Sequence, residues 1–177
     1  MFFEGCRVRH LLHELGQAKE WNASLEVLHC LQQRNLEMNG YLASASMTMF
    51  TKMTAWNQAL HILRDMAEIR VERNTITYNA AISACEKGKQ WVQALQLFRE
   101  MACSRVVRGT ITYSAAVSAC EQGLQWEQAL QLFHEMADSR VERSIIVYIA
   151  AVGACEKGVQ CVQALHVFRE MMDSRVE

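Results

Sequence analysis

The chain reads as an all-α solenoid built from stacked helix pairs, and three observations carry that expectation. Tyr78, Tyr113 and Tyr148 are spaced 35 residues apart, as are Trp21, Trp56, Trp91 and Trp126, and Phe98, Phe133 and Phe168. Thr75–Gly109 and Thr110–Ser144 can be laid directly over each other, with 26 of 35 residues identical and nine different. Within a unit the apolar residues follow helical spacing. A long fixed period of this kind marks small units that bury their apolar faces against neighbours, not one globular core.

Taken in order, the array covers 1–177 without linkers. Unit 5–39 is degenerate, keeping Trp21, Leu25 and Leu28, and unit 40–74 keeps Trp56, Ala59, Leu60 and Met66 in phase. Units 75–109 and 110–144 are complete, and unit 145–177 is incomplete. In each unit a first helix, from about Ile76 to Lys87, carries the small residues Ala80, Ala81, Ser83 and Ala84, which let a neighbouring helix approach closely. Gly88, Gly123 and Gly158 follow it, where a left-handed C-cap is expected. The second helix places Trp91, Ala94, Leu95, Phe98 and Met101 at i, i+3, i+4, i+7 and i+10, one apolar stripe. Gln93, Gln96, Arg99 and Glu100 take its other side, and the stretch from Cys103 to Gly109 turns the chain into the next unit. The Trp series is expected in the core, and each Tyr between helices with its hydroxyl paired.

Composition narrows the function classes. Apolar residues make up 51% of the chain and proline is absent, which excludes a disordered tail. The apolar runs are far shorter than the ~18 residues that span a bilayer, so a soluble chain with no membrane partner is expected. Net charge is −1, which provides no overall pull toward a polyanion. Cys85, Cys120 and Cys155 sit one period apart, which predicts reduced, buried thiols about 10 Å from one another rather than bridges. His10 and His13 are too close for a zinc-protease motif, and neither Cys-x-x-Cys nor a Gly-rich phosphate loop occurs. No catalytic residue, metal or cofactor is expected.

The run Thr-Ile-Thr-Tyr-Asn-Ala-Ala-Ile-Ser-Ala-Cys-Glu-Lys-Gly, followed by Trp-Val-Gln-Ala-Leu-Gln-Leu-Phe-Arg-Glu-Met, closely resembles the consensus of the 35-residue pentatricopeptide repeats, P-type. The resemblance covers three units well, one moderately and the first weakly. Two features depart from it: Val-Glu-Arg-Asn or Val-Val-Arg-Gly replaces the usual Lys-Pro-Asp ending, and Ala43 stands where Tyr is expected. The resemblance implies a right-handed α-solenoid that binds single-stranded RNA in a chloroplast or mitochondrion, about one nucleotide per unit, in processing, stability or editing. The first unit begins near Gly5, which leaves no room for a transit segment within this chain.

By the same resemblance, Tyr41, Ile76, Ile111 and Ile146 clamp base faces. Base edges would be read by Ser44 with Asn74, Asn79 with Gly109, and Ser114 with Ser144, in the manner of helical repeats that use two or three side chains per base. Ile149 has no hydrogen-bonding group and reads nothing. The implied preference is adenine, then a pyrimidine, then a purine. Lys52, Lys87 and Lys157 would meet phosphates, with Gln122 interrupting the row, for a salt slope of about −2. Glu86, Glu121 and Glu156 precede that row and partly cancel its field. Two other readings stay open: a protein-binding scaffold, and a degenerate fragment of a longer array. The abrupt stop at Glu177 predicts further units or self-association through the last helix.

Overall fold

The computed structural model describes residues 55–68 and 72–174. Unit 5–39 and most of unit 40–74 lie outside them, and with them Trp21, Tyr41, Ala43, Ser44 and Lys52. Among the described residues seven helices of 13 residues follow one another: α1 (Trp56–Glu68), α2 (Thr75–Lys87), α3 (Trp91–Cys103), α4 (Thr110–Gln122), α5 (Trp126–Asp138), α6 (Ile145–Lys157) and α7 (Cys161–Asp173). The first helices α2, α4 and α6 start one period apart, as do the second helices α1, α3, α5 and α7. The chain divides into two compact units, residues 1–84 and 85–177.

In the first unit, α1 buries Ala59, Ile62, Leu63 and Met66 on one stripe, and the opening turns of α2 bury Thr77, Tyr78, Ala81 and Ile82. The second unit shows the packing in full. α4 lies directly against α5 and α6, α6 against α5 and α7, and α3 against α4. The first helices are thus central. Their small side chains, Ala115, Ala116 and Ala119 on α4 and Ala150, Ala151 and Ala154 on α6, are buried and allow that approach. The second helices are amphipathic and outer: α5 buries Ala129, Leu130, Leu132, Phe133 and Met136.

Tyr78, Tyr113 and Tyr148 are core residues. Tyr113 meets Phe98 edge-to-face at 5.0 Å between ring centroids, and Tyr148 meets Phe133 at 5.2 Å. The Tyr113 hydroxyl donates to Glu135 Oε1 at 3.2 Å and pairs with Ser139 Oγ at 3.1 Å, so the buried phenol is satisfied. Arg108 and Arg143, each the last-but-one residue of its unit, complete this cluster. Arg108 lies over Phe98 at 4.6 Å and pairs with Glu135 at 2.9 Å. Arg143 lies over Phe133 at 3.9 Å and pairs with Glu170. An arginine spread over a ring and paired with a carboxylate is a packing group, and it ties successive units together.

The expected left-handed glycine caps are not there. Gly123 and Gly158 have φ of −81° and −82°, and no described glycine has positive φ. At these turns the left-handed residues are Lys89, Leu124 and Val159, one place later, with φ of 57°, 59° and 57°. Leu124 and Val159 close Schellman turns: Gln125 N donates to the Cys120 carbonyl at 2.9 Å and Gln160 N to that of Cys155 at 2.8 Å. For a β-branched Val159 this conformation is strained, at a cost of about 1–2 kcal/mol. The glycines serve a different need. A Cβ on Gly123 would lie 2.3 Å from Trp91 Cδ1, and one on Gly158 2.4 Å from Trp126 Cδ1. Trp91 and Trp126 are accordingly half-buried covers over the next unit's glycine rather than full core residues.

Candidate nucleic-acid interface

Helix geometry puts positions i, i+3, i+7 and i+10 on one stripe. On α4 these are Ile111, Ser114, Ser118 and Glu121, and all four reach solvent while the rest of the helix is largely buried. On α6 the matching stripe is Ile146, Ile149, Gly153 and Glu156, with Lys157 beside it. On α2 it is Ile76, Asn79, Ser83 and Glu86, with Lys87 beside it. The side of a first helix left uncovered by packing therefore carries the predicted clamp, reader and phosphate positions together. Ile76, Ile111 and Ile146 are 61%, 66% and 59% exposed, unusual for β-branched apolar residues held in a helix.

Asn74, Gly109 and Ser144, which end their units, are the N-caps of α2, α4 and α6. Asn74 Oδ1 accepts from Ile76 N at 3.0 Å and Thr77 N at 3.1 Å, which commits the amide oxygen to capping. Buried Thr77 supports it by accepting from Asn74 N at 3.0 Å. Gly109 has extended backbone, φ −105° and ψ −174°, and a Cβ there would meet nothing within 4 Å. Ser144 takes the same place with its side chain uninvolved in capping. The Ser114 hydroxyl donates to the Ile111 carbonyl at 3.0 Å, so toward the solvent it offers lone pairs. Asn79 is half-buried and Ile149 exposed on their stripes.

The lysine row is weaker than its spacing suggests. Lys87 is exposed at the end of α2. Lys157 Nζ instead sits 2.9 Å from Glu121 Oε1, one unit back. Burial pushes the Glu86 carboxyl above its ordinary value of 4.5, with Lys87 opposing and Glu121 reinforcing. Cys85 and Cys120 are buried and pushed up to about 12 by that burial, so they are inert thiols at neutral pH. An open groove of about 430 Å³ between α3 and the start of α5 is lined by Trp91, Val92, Leu95, Gln96, Arg99, Gln125 and Gln128, none of them a predicted reader. Among the described residues no His, Cys, Asp or Glu cluster could hold a metal ion. No described helix is long and apolar enough to cross a membrane.

Family models decide the kinship. Residues 73–122 match the PPR repeat family, residues 26–88 the pentatricopeptide repeat domain and residues 111–141 the PPR repeat. The chain belongs to the pentatricopeptide repeat family. Comparison with curated proteins by sequence returned no significant match. The PPR domain of Arabidopsis thaliana protein-only RNase P 1, solved with tRNA, is 10% identical with a TM-score of 0.80, covering 97% of this chain and 91% of its own. PPR10 from maize is 18% identical with a TM-score of 0.74, over 96% of this chain. PPR10 in complex with an 18-nt psaJ RNA element is 13% identical with a TM-score of 0.80, over 98% of this chain. This pentatricopeptide repeat chain spans only 24% and 26% of those two PPR10 chains. The fold they share with it is the all-α repeat solenoid.

The arginine–glutamate pairs and the Trp-on-Gly contacts escaped the sequence reading. A signal for the first was present: Arg108 and Glu135, like Arg143 and Glu170, keep a separation of 27 residues.

Proposed function

We propose that this pentatricopeptide repeat protein binds single-stranded RNA along the open stripes of its first helices, about one nucleotide per unit, and carries out no chemistry itself. The observation behind this reading is the trio Ile76, Ile111 and Ile146, exposed at the same place of three successive first helices. An apolar plane held in water gains by covering a base face, and every base has one. Beside each isoleucine stands a reader position, Asn79, Ser114 or Ile149, with Asn74, Gly109 and Ser144 at the helix starts. Solved relatives that share the fold are complexes with tRNA and with an 18-nt RNA element, which supports the same ligand class. The setting proposed is a chloroplast or mitochondrion, in RNA processing, stability or editing, on the strength of the family resemblance.

Fluorescence anisotropy with labelled oligonucleotides, single-stranded and duplex, tests the reading. Single strands should bind better, and Ile111→Asp with Ile146→Asp should weaken them at least about tenfold while the circular dichroism spectrum stays unchanged. Lys87→Gln should flatten the salt slope by about 0.7. A protein-binding scaffold would instead leave RNA unbound by every variant.

A further inference from the structure

Within unit 145–177 the cation that should meet phosphate is already occupied. Lys157 Nζ lies 2.9 Å from Glu121 Oε1, both side chains being partly exposed. That contact crosses from α4 to α6 and passes over one particular residue. A Cβ on Gly153 would lie 2.8 Å from Glu121 Oε1 and 3.0 Å from its Cδ. The equivalent places on α2 and α4 are Ser83 and Ser118, so glycine is peculiar to this unit. The missing side chain is the room in which the Glu121 carboxylate lies across α6 toward the lysine.

We propose that Glu121 is a built-in competitor for phosphate: it occupies Lys157, lowers the affinity of the array for RNA, and does so because Gly153 leaves it space. The inference rests on the RNA-binding reading above. An exposed carboxylate–ammonium pair is worth little to folding, about 0–1 kcal/mol. Its consequence for a polyanion is larger in kind, since a lysine whose charge is met by a carboxylate does not neutralise a phosphate and so frees no counterion from the RNA. The wild-type chain should therefore bind RNA with one phosphate contact fewer than its lysines suggest.

Two substitutions separate charge from space. Glu121→Gln removes the competitor. Gly153→Ser introduces the side chain found at the equivalent places of α2 and α4, keeps every charge, and crowds only the tip of a flexible carboxylate. Affinity for a labelled single-stranded pool would be measured across a salt series. Both variants should bind about two- to fivefold tighter at low salt, the range of an exposed ion pair, and steepen the slope by about 0.7. Lys157→Gln should abolish the gain in either variant, and in the wild type it should weaken binding only through the carboxylate it leaves unpaired, without changing the number of phosphate contacts. Glu127→Gln, which makes the same charge change on a second helix, should leave the slope alone. Wild-type RNA binding with identical slopes in Glu121→Gln would overturn the proposal. A gain in Glu121→Gln without one in Gly153→Ser would overturn the part given to Gly153. Absence of RNA binding in all variants would instead sink the RNA-binding reading, and this inference with it.

Discussion

Glu86 illustrates how much a single side chain depends on its surroundings. Its carboxyl is held above 4.5 first by burial, then by the nearby Glu121, against the pull of Lys87. A carboxyl whose folded pKa exceeds its unfolded one binds its proton more tightly when folded. Stability is then favoured at low pH and lost as pH rises from 4.5 through the raised value. Glu86→Gln should abolish that loss. Urea midpoints of the two proteins should coincide near pH 4 and separate by pH 7, with the variant the more stable. An unchanged gap across that range would mean that the carboxyl is not desolvated. The acid could be seen in the sequence next to the lysine row; its burial could not, because the covering atoms come from elsewhere in the fold.

Helices here are joined by contacts that serve the next unit rather than their own. Trp126 opens α5, yet its indole covers Gly158, beyond the end of α6. The clash reaches the Cγ and Cβ of Trp126 at 2.7 and 3.0 Å rather than a flexible tip, so Gly158→Ala must shift ring or backbone. It should cost about 1–3 kcal/mol, the usual penalty of overpacking, read as a lowered urea midpoint with an unchanged m-value. A substitution that proved neutral would return the glycine to the role of a simple turn residue. The spacing of glycines and tryptophans was plain in the sequence. Their contact was not, since it joins residues 32 apart in the chain. The left-handed conformation expected at glycine falls on Leu124 and Val159 instead for the same reason: packing, not backbone freedom, selected the glycine.

For the array, the same residue has different worth at different places. Phe133 is completely buried, between Tyr148 and Arg143, whereas Phe168, one period later, is 47% exposed, and Leu165 is 58% exposed where Leu130 is buried. Phe133→Ala should cost about 3–5 kcal/mol as a core truncation. Phe168→Ala should cost less than half of that, and denaturation of the two variants under one condition decides it. Equal losses would show that the last helix is covered in solution. Stability in stacked repeats is a sum of unit and neighbour terms, so identical side chains are unequal wherever neighbours differ.

Local spacing was enough to specify the 35-residue period, the helix pairs and the apolar stripe of each second helix, whereas the clamp, reader and phosphate positions of the first helices came from the family resemblance. The former follow from 3.6 residues per turn acting on nearby residues, and they are printed in the chain. What required the folded molecule is every relation between units. Trp126 covers Gly158, Arg143 lies on Phe133, Glu121 takes Lys157, and Phe168 is bare where Phe133 is enclosed. Each of these joins side chains about a period apart, or depends on what lies against the helix, and such distances are set by how helices stack rather than by how one helix coils.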